Sequence, residues 1–287
     1  MTFFPGNTAN VVLAGPGRAE NLPDRAWHLS EHHLVGRQGC GVVLATGWAD
    51  YQEPKGIHQW FKSARGDGAV WLGSVIEPRE FFLPVHVHKT IGRPFHSVND
   101  GFWSDIDYHF ESRLFVNTRE GTRYLDVRLA DQPRITDVFD PEFDGFLSYL
   151  VPVIAARPWW MGLEAVCEWR NGQSTERLKL KNNGDRKGYP IWTVQGPGVF
   201  QIPDGDKVVT TPDLEVGEVA RIHTDRSTPR PMRSNKRPFL YRDFGGQQFR
   251  SFIPGRAEMS MKKLTVIGGN AQSSAVATLT PMSRRPR

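Results

Sequence analysis

The chain has 287 residues, 36 basic and 31 acidic, for a net charge of +5. Both signs are mixed along its length, which describes a solvated surface and excludes a nucleic-acid footprint. Two cysteines, Cys40 and Cys167, exclude a disulfide framework and a Cys-type zinc site, and no run is long and apolar enough for a transmembrane helix.

Twenty-eight Gly and 21 Pro favour turns over long helices, and nine Trp with 17 Phe supply a packed β core. The length suits one large or two ordinary domains. Residues 1–17 lack a basic segment followed by an apolar run, so no signal peptide is expected and folding in a cytoplasm is. The first 25 residues are rich in Gly, Pro and Asn around one apolar run, Val11-Val12-Leu13-Ala14. That run predicts a strand whose partner belongs to the chain or to another subunit.

Strands are predicted at Cys40–Ala45, Val70–Ile76 and Phe81–His88, with a turn region at Gln52–Gly56 and Glu77–Glu80 between the last two strands. Phe102, Trp103, Ile106 and Phe110 recur at helical spacing, which predicts a short helix within Asn99–Phe110 capped by Asn99 or Asp100.

Residues 113–129 are the clearest local statement. Leu114 and Val116 alternate on one run, and Leu125, Val127 and Leu129 on the next; Thr118-Arg119-Glu120 turn between them, and Gly121 supplies a positive φ. Tyr124, Asp126 and Arg128 then face outward. Phe146–Ala155 is a strongly apolar strand, and its Pro152 predicts an edge or a bulge.

After Pro158-Trp159-Trp160, short strands follow at Arg177–Lys181, Tyr189–Val194, Gly198–Ile202, Lys207–Thr210, Glu218–His223, Gln248–Phe252, Lys263–Ile267 and Ser274–Leu279. Turn residues between them, such as Asp204-Gly205-Asp206, predict a β-sandwich. The basic end, Arg284-Arg285-Pro286-Arg287, reads as a frayed tail.

Candidate chemistry is sparse. His86 and His88 project from one strand face and could share a metal, but no carboxylate follows them; the competing reading is a polar face with Val85 and Val87 inward. His28, His32 and His33 read as a solvated loop. Asp204 and Asp206 read as turn residues, and Asp105 and Asp107 as the solvent side of the short helix. Trp159-Trp160 reads as a core or interface anchor over a sugar-stacking platform. No nucleophile elbow, Walker loop or dinucleotide fingerprint occurs, so no catalytic residue, metal or cofactor is assigned.

The serial order of elements resembles the distal tail protein (Dit) family of long-tailed (siphovirus) bacteriophages, called minor tail proteins in actinobacterial phages. The resemblance rests on the 113–129 hairpin preceded by a helix, and on the exit Ala155-Ala156-Arg157-Pro158-Trp159-Trp160. It rests also on Asn182-Asn183-Gly184 followed by Tyr189–Gly196, and on Leu214–Asp225. It covers most of residues 36–280.

The resemblance implies a mainly β fold: an N-terminal ring-forming domain, 1–165, with one short helix and an arm at 1–35, then a C-terminal galectin-like β-sandwich, 166–287. It implies a structural, non-enzymatic virion protein at the tail tip. Six copies would form a ring joining tail-tube and tape-measure proteins to the tail-associated hub or baseplate used in host attachment. It implies no membrane or sequence-specific nucleic-acid partner and no cofactor, with assembly in the host bacterial cytoplasm. The expected subunit contacts are Val11, Val12, Leu13, Tyr124, Asp126 and Arg128, and deletion of 1–17 is expected to weaken association. The competing readings are a free-standing carbohydrate-binding β-sandwich and a metal-dependent cupin-type enzyme using His86 and His88.

Overall fold

A computed structural model describes residues 9–16, 26–30, 40–45, 53–64, 66–136, 140–228 and 232–286. The chain divides into two compact units: residues 1–161 with 284–287, and residues 162–283. In both, strands are the main regular structure.

Unit 1 contains β1 (Ala9–Ala14), β2 (Trp27–His28), β3 (Val42–Leu44), β4 (Gly56–Phe61), β5 (Val70–Ile76), β6 (Arg79–His88), α1 (Phe95–Trp103), β7 (Ser112–Thr118), β8 (Gly121–Leu129), β9 (Arg134–Ile135), α2 (Pro141–Asp144), β10 (Phe146–Ala155) and β11, which starts at Trp160. The main sheet runs β2-β1-β7-β8-β10-β6-β3. Leu29, just past β2, donates to Val11 O at 2.8 Å and accepts from Leu44 N at 2.7 Å. The two ends of the sheet thus meet, and the sheet nearly closes on itself, which protects its edges.

Period-2 alternation explains the core. Leu13, Leu114 and Leu125 lie opposite one another on β1, β7 and β8 and are fully buried. Leu83, Val85 and Val87 on β6 join Val151 and Val153 on β10 in the same core. The predicted β7–β8 hairpin forms, with Gly121 at φ 128°, but Thr118 ends β7 opposite Gly121, so Arg119 and Glu120 alone make the turn.

The helix differs from its expected position. It begins at Phe95 behind Pro94 and ends at Trp103, and Phe95, Val98 and Phe102 form its buried stripe. Asn99 does not cap it. Its Oδ1 accepts from Trp103 Nε1 at 3.1 Å and from Tyr149 OH at 2.9 Å, fastening α1 to β10. Ile106 and Phe110 lie beyond the helix.

Pro152 sits in an interior strand, not at an edge, because β6 and β8 flank β10. Its C=O accepts from Ala130 N at 2.9 Å, so its missing N–H faces the gap where the neighbour changes from β8 to β9. Pro84 on β6 faces past the end of β3 in the same way, with Ala45 N donating to its C=O. Each proline lies where no ladder bond is lost.

Arg284 and Arg285 are held in place, against the expected frayed tail. Arg79, buried on β6, donates to Pro158 O at 2.8 Å and Arg284 O at 2.7 Å, and Arg285 pairs with Glu53 at 2.7 Å.

Unit 2 contains the end of β11 at Gly162, β12 (Ala165–Arg170), β13 (Lys179–Lys181), β14 (Ile191–Gln195), β15 (Val199–Asp204), β16 (Lys207–Thr210), β17 (Val219–His223), β18 (Met232–Ser234), a 3-10 turn (Leu240–Phe244), β19 (Glu258–Ser260), β20 (Thr265–Ile267), β21 (Ser274–Leu279) and β22 (Met282–Ser283). A five-stranded sheet, β12-β21-β14-β17-β18, and a three-stranded sheet, β16-β15-β20, share one core that includes Trp169, Trp192, Ile222, Phe200 and Ile202. This is a β-sandwich. The expected strand at Gln248–Phe252 is absent. That segment is irregular, and its backbone is held instead by Asp204, which accepts from Arg250 N at 2.9 Å and Ser251 N at 2.8 Å.

Candidate functional site

The sequence-level candidates for chemistry resolve into structural roles. His86 Nδ1 lies 2.6 Å from Ser148 Oγ, and its ring packs on Phe146; His88 Nδ1 lies 2.9 Å from Lys89 O. Val85 and Val87, which alternate with them along β6, are buried. Among the described residues no three His, Cys, Asp or Glu side chains are grouped to hold a metal. His28 is on β2, whereas His32 and His33 lie outside the described residues.

Asp105 is not on a solvent face. It is buried and accepts from Trp27 Nε1 at 2.9 Å. Asp107 accepts backbone N–H bonds from His109 and Phe110, which hold its carboxyl below the usual carboxylate range. Asp204-Gly205-Asp206 forms the β15–β16 turn, with Gly205 at φ 65°. Trp160 is fully buried with the Arg79 guanidinium 6.0 Å from its ring. Cys40 Sγ donates to Val42 O at 3.2 Å, and burial pushes the Cys167 thiol up.

Of the expected contact residues, Val11, Val12 and Leu13 lie in β1, whose partner is the chain's own β7 over six residues. Val11 and Leu13 enter the core, whereas Val12 lies on the opposite face in a row with Phe115 and Tyr124. Tyr124 and Asp126 are drawn together by Arg113. Its Nε is 2.6 Å from Asp126 Oδ1, and its guanidinium stacks 4.1 Å from the Tyr124 ring. Arg128 lies apart and pairs with Glu111 at 3.1 Å.

A different feature stands out. Among the described residues, β4 and β5 pair only with each other, outside the main sheet. The base of this hairpin is fixed by Lys55–Glu77 at 3.1 Å and by Glu77 N donating to Lys55 O. Beyond that base, Ile57, Trp60, Phe61, Val70, Trp71, Leu72 and Val75 are each between 44% and 64% exposed. Ile57 faces Val75, Trp60 faces Trp71 and Phe61 faces Val70 across the ladder. Trp71 Nε1 donates to His58 Nδ1 at 3.2 Å.

An isolated two-stranded ribbon is only marginally stable in water, and this one carries large apolar side chains and two edges that no described strand covers. Large apolar side chains exposed on both faces of one ribbon mark an interaction site. The sequence holds part of the signal: β5 is legible, but beyond the turn region at Gln52–Gly56 no strand is predicted over 57–61, where β4 lies. Its Trp60-Phe61 run has the composition of a core strand, and nothing local reveals that it projects from the core.

No protein-family model matches this chain, and no curated protein sequence matches it either. Solved structures do match. The Dit protein (gp 19.1) of phage SPP1 aligns over 95% of this chain and 98% of its own, with a TM-score of 0.58 at 13% identity. A chain of the phage P2 baseplate, in its activated conformation with Ca, aligns over 96% and 98%, with a TM-score of 0.51 at 10% identity. Taken with the nearly closed sheet of unit 1 and the sandwich of unit 2, these alignments show that the chain has a fold similar to that of phage Dit proteins.

Proposed function

We propose that the chain is a structural protein of a bacteriophage tail tip, which self-associates into a ring joining the tail tube to the hub or baseplate. The observation that carries this reading is the β4–β5 hairpin. Its large apolar side chains on a ribbon with two edges that no described strand covers are best accommodated by protein–protein burial. Fold similarity supports the setting: the SPP1 protein is described as a paradigm of the hub adsorption apparatus in phages infecting Gram-positive bacteria.

A closed ring uses two different patches on each copy. The hairpin is one. The outer face of β7–β8, bearing Tyr124, Asp126 and Arg128, is the proposed second. Val11 and Leu13 support that face from the core, and Val12 from its own surface. Six copies, the tube, tape-measure and hub partners, and the siphovirus setting follow from the family resemblance.

Negative-stain microscopy of the purified full chain, alone and mixed with candidate tail-tube and hub proteins, tests the reading. Closed rings of subunits in either preparation are expected. Persistent monomers in both would overturn it.

A further inference from the structure

In unit 1, β8 and then β9 run along β10, and the far side of this path is incompletely covered. The cover from β7 ends at Ser112, opposite Val127. The segment 107–111 takes over at Leu129, whose N donates to Asp107 O at 2.9 Å. Further on, β9 pairs with β10 alone among the described residues. Thr136 N donates to Ser148 O on β10, so by alternation the Ile135 N–H and C=O face away from β10, where no described strand meets them.

The segment 107–111 is braced, yet apolar at its surface. Asp107 Oδ1 accepts from His109 N at 2.6 Å and from Phe110 N at 3.2 Å. Arg128 Nε donates to His109 O at 3.2 Å, and its Nη2 pairs with Glu111 at 3.1 Å. Tyr108, Phe110 and Ile135 nevertheless remain between 51% and 65% exposed. Large apolar side chains on an already ordered backbone are suited to anchor a partner, because little further ordering is needed when they are buried. Leu129 lies opposite Val153 and Arg134 opposite Leu150, so three residues of β10, about 10 Å, separate the braced segment from the open edge. Through Arg128 this surface is continuous with the outer face of β7–β8.

The β4–β5 ribbon has the matching need. Its edges lack strands among the described residues, and its Trp, Phe, Leu, Ile and Val side chains lack apolar cover. β4 has six residues, roughly 20 Å, enough to lie along the β9 edge and reach the braced segment. The ribbon and β9 do not pair within one chain. A second copy supplies each with what it lacks, one for one, and because the two surfaces differ the contact is head to tail. We propose that the β4–β5 ribbon of one copy adds to the β9 edge of the next and seats its tryptophans against Tyr108, Phe110 and Ile135. This inference rests on the self-association reading above and names its receiving surface.

Sedimentation velocity on the full chain tests it by complementation, under the conditions in which wild type assembles. A ribbon variant, Trp60→Ser with Trp71→Ser, and a receiving variant, Tyr108→Ser with Phe110→Ser, are each expected to stay monomeric. Their equimolar mixture is expected to form heterodimers and nothing larger, since one intact ribbon then meets one intact receiving surface. Circular dichroism checks each fold; if the receiving variant is misfolded, Ile135→Lys on the exposed edge takes its place. A folded receiving variant that assembles as wild type does, as ribbon-to-ribbon pairing would require, overturns this inference and leaves self-association standing. A mixture that stays monomeric also overturns it. A wild type that stays monomeric, with candidate tail-tube and hub proteins present, overturns the self-association reading and this inference together.

Discussion

Glu218 shows how a single buried charge is held in unit 2. Its side chain is fully buried at the start of β17 and receives Arg237 Nε at 2.8 Å, Arg237 Nη2 at 2.9 Å and Glu215 N at 3.1 Å, with Ser234 Oγ also donating. Burial pushes the carboxyl up, but the Arg237, Ser234 and Glu215 hydrogen bonds outweigh it and bring the pKa to about 2. A carboxyl depressed on folding stabilises the native state fully above its ordinary value of 4.5, and the contribution is lost as pH falls towards 2. The size is roughly 3 kcal/mol. Thermal melts of wild type and Glu218→Gln should differ most at neutral pH and converge between pH 5 and pH 2; a gap independent of pH would count against this role. Arg79 is the counterpart in unit 1. Burial lowers its guanidinium to about 10, with Glu53 pulling the other way, and it donates to the backbone carbonyls of Pro158 and Arg284. Arg79→Met keeps the volume but removes both of these hydrogen bonds, at a cost of roughly 2–4 kcal/mol in denaturant unfolding. A loss below about 1 kcal/mol would mean water satisfies those carbonyls instead.

Elements differ in how openly the sequence declares them. β7–β8 was legible because alternation, turn chemistry and the positive φ of Gly121 agree, and β10, β16 and β21 have their predicted bounds because apolar runs there end on turn residues. The helix was misplaced because aromatic spacing continued into the loop that buries Ile106, while Pro94 sets the true start. Likewise, Asp105 looked like a surface carboxylate because nothing near it in sequence announces Trp27, 78 residues away. The β4–β5 surface was missed for a different reason: apolar residues in strand-length runs signal burial, and whether the burial is within the chain or against another chain is a property of assembly. Replacing Trp60 and Trp71 with Ser should therefore leave the melting temperature of the isolated subunit within about 2 °C while abolishing self-association in mass photometry. A large drop in melting temperature would instead make the hairpin part of the chain's own core. By contrast, deleting residues 1–17 takes β1 out of the main sheet and Val11 and Leu13 out of the core, so circular dichroism should report unfolding of unit 1 and not merely weaker association.

At the scale of the whole molecule, the chain leaves unit 1 after Met161 and returns to it at Arg284, so its last residues belong with its first. Arg123 Nη1 donates to Arg285 O at 2.9 Å, and the Arg285–Glu53 pair adds a second tie. Truncation after Ser283 should lower the stability of unit 1 by roughly 1–3 kcal/mol while amide exchange within unit 2 stays unchanged; unaltered exchange throughout unit 1 would contradict the tethering. The central claim is that copies of this chain meet through the β4–β5 hairpin. Hydrogen–deuterium exchange on dilute monomer and on assembled particles tests it most directly. The account predicts that the amides of residues 56–61 and 70–76 become protected on assembly, by about a hundredfold or more if they enter a neighbour's sheet. Equal exchange of these amides in both states, in particles shown to be assembled, would contradict it.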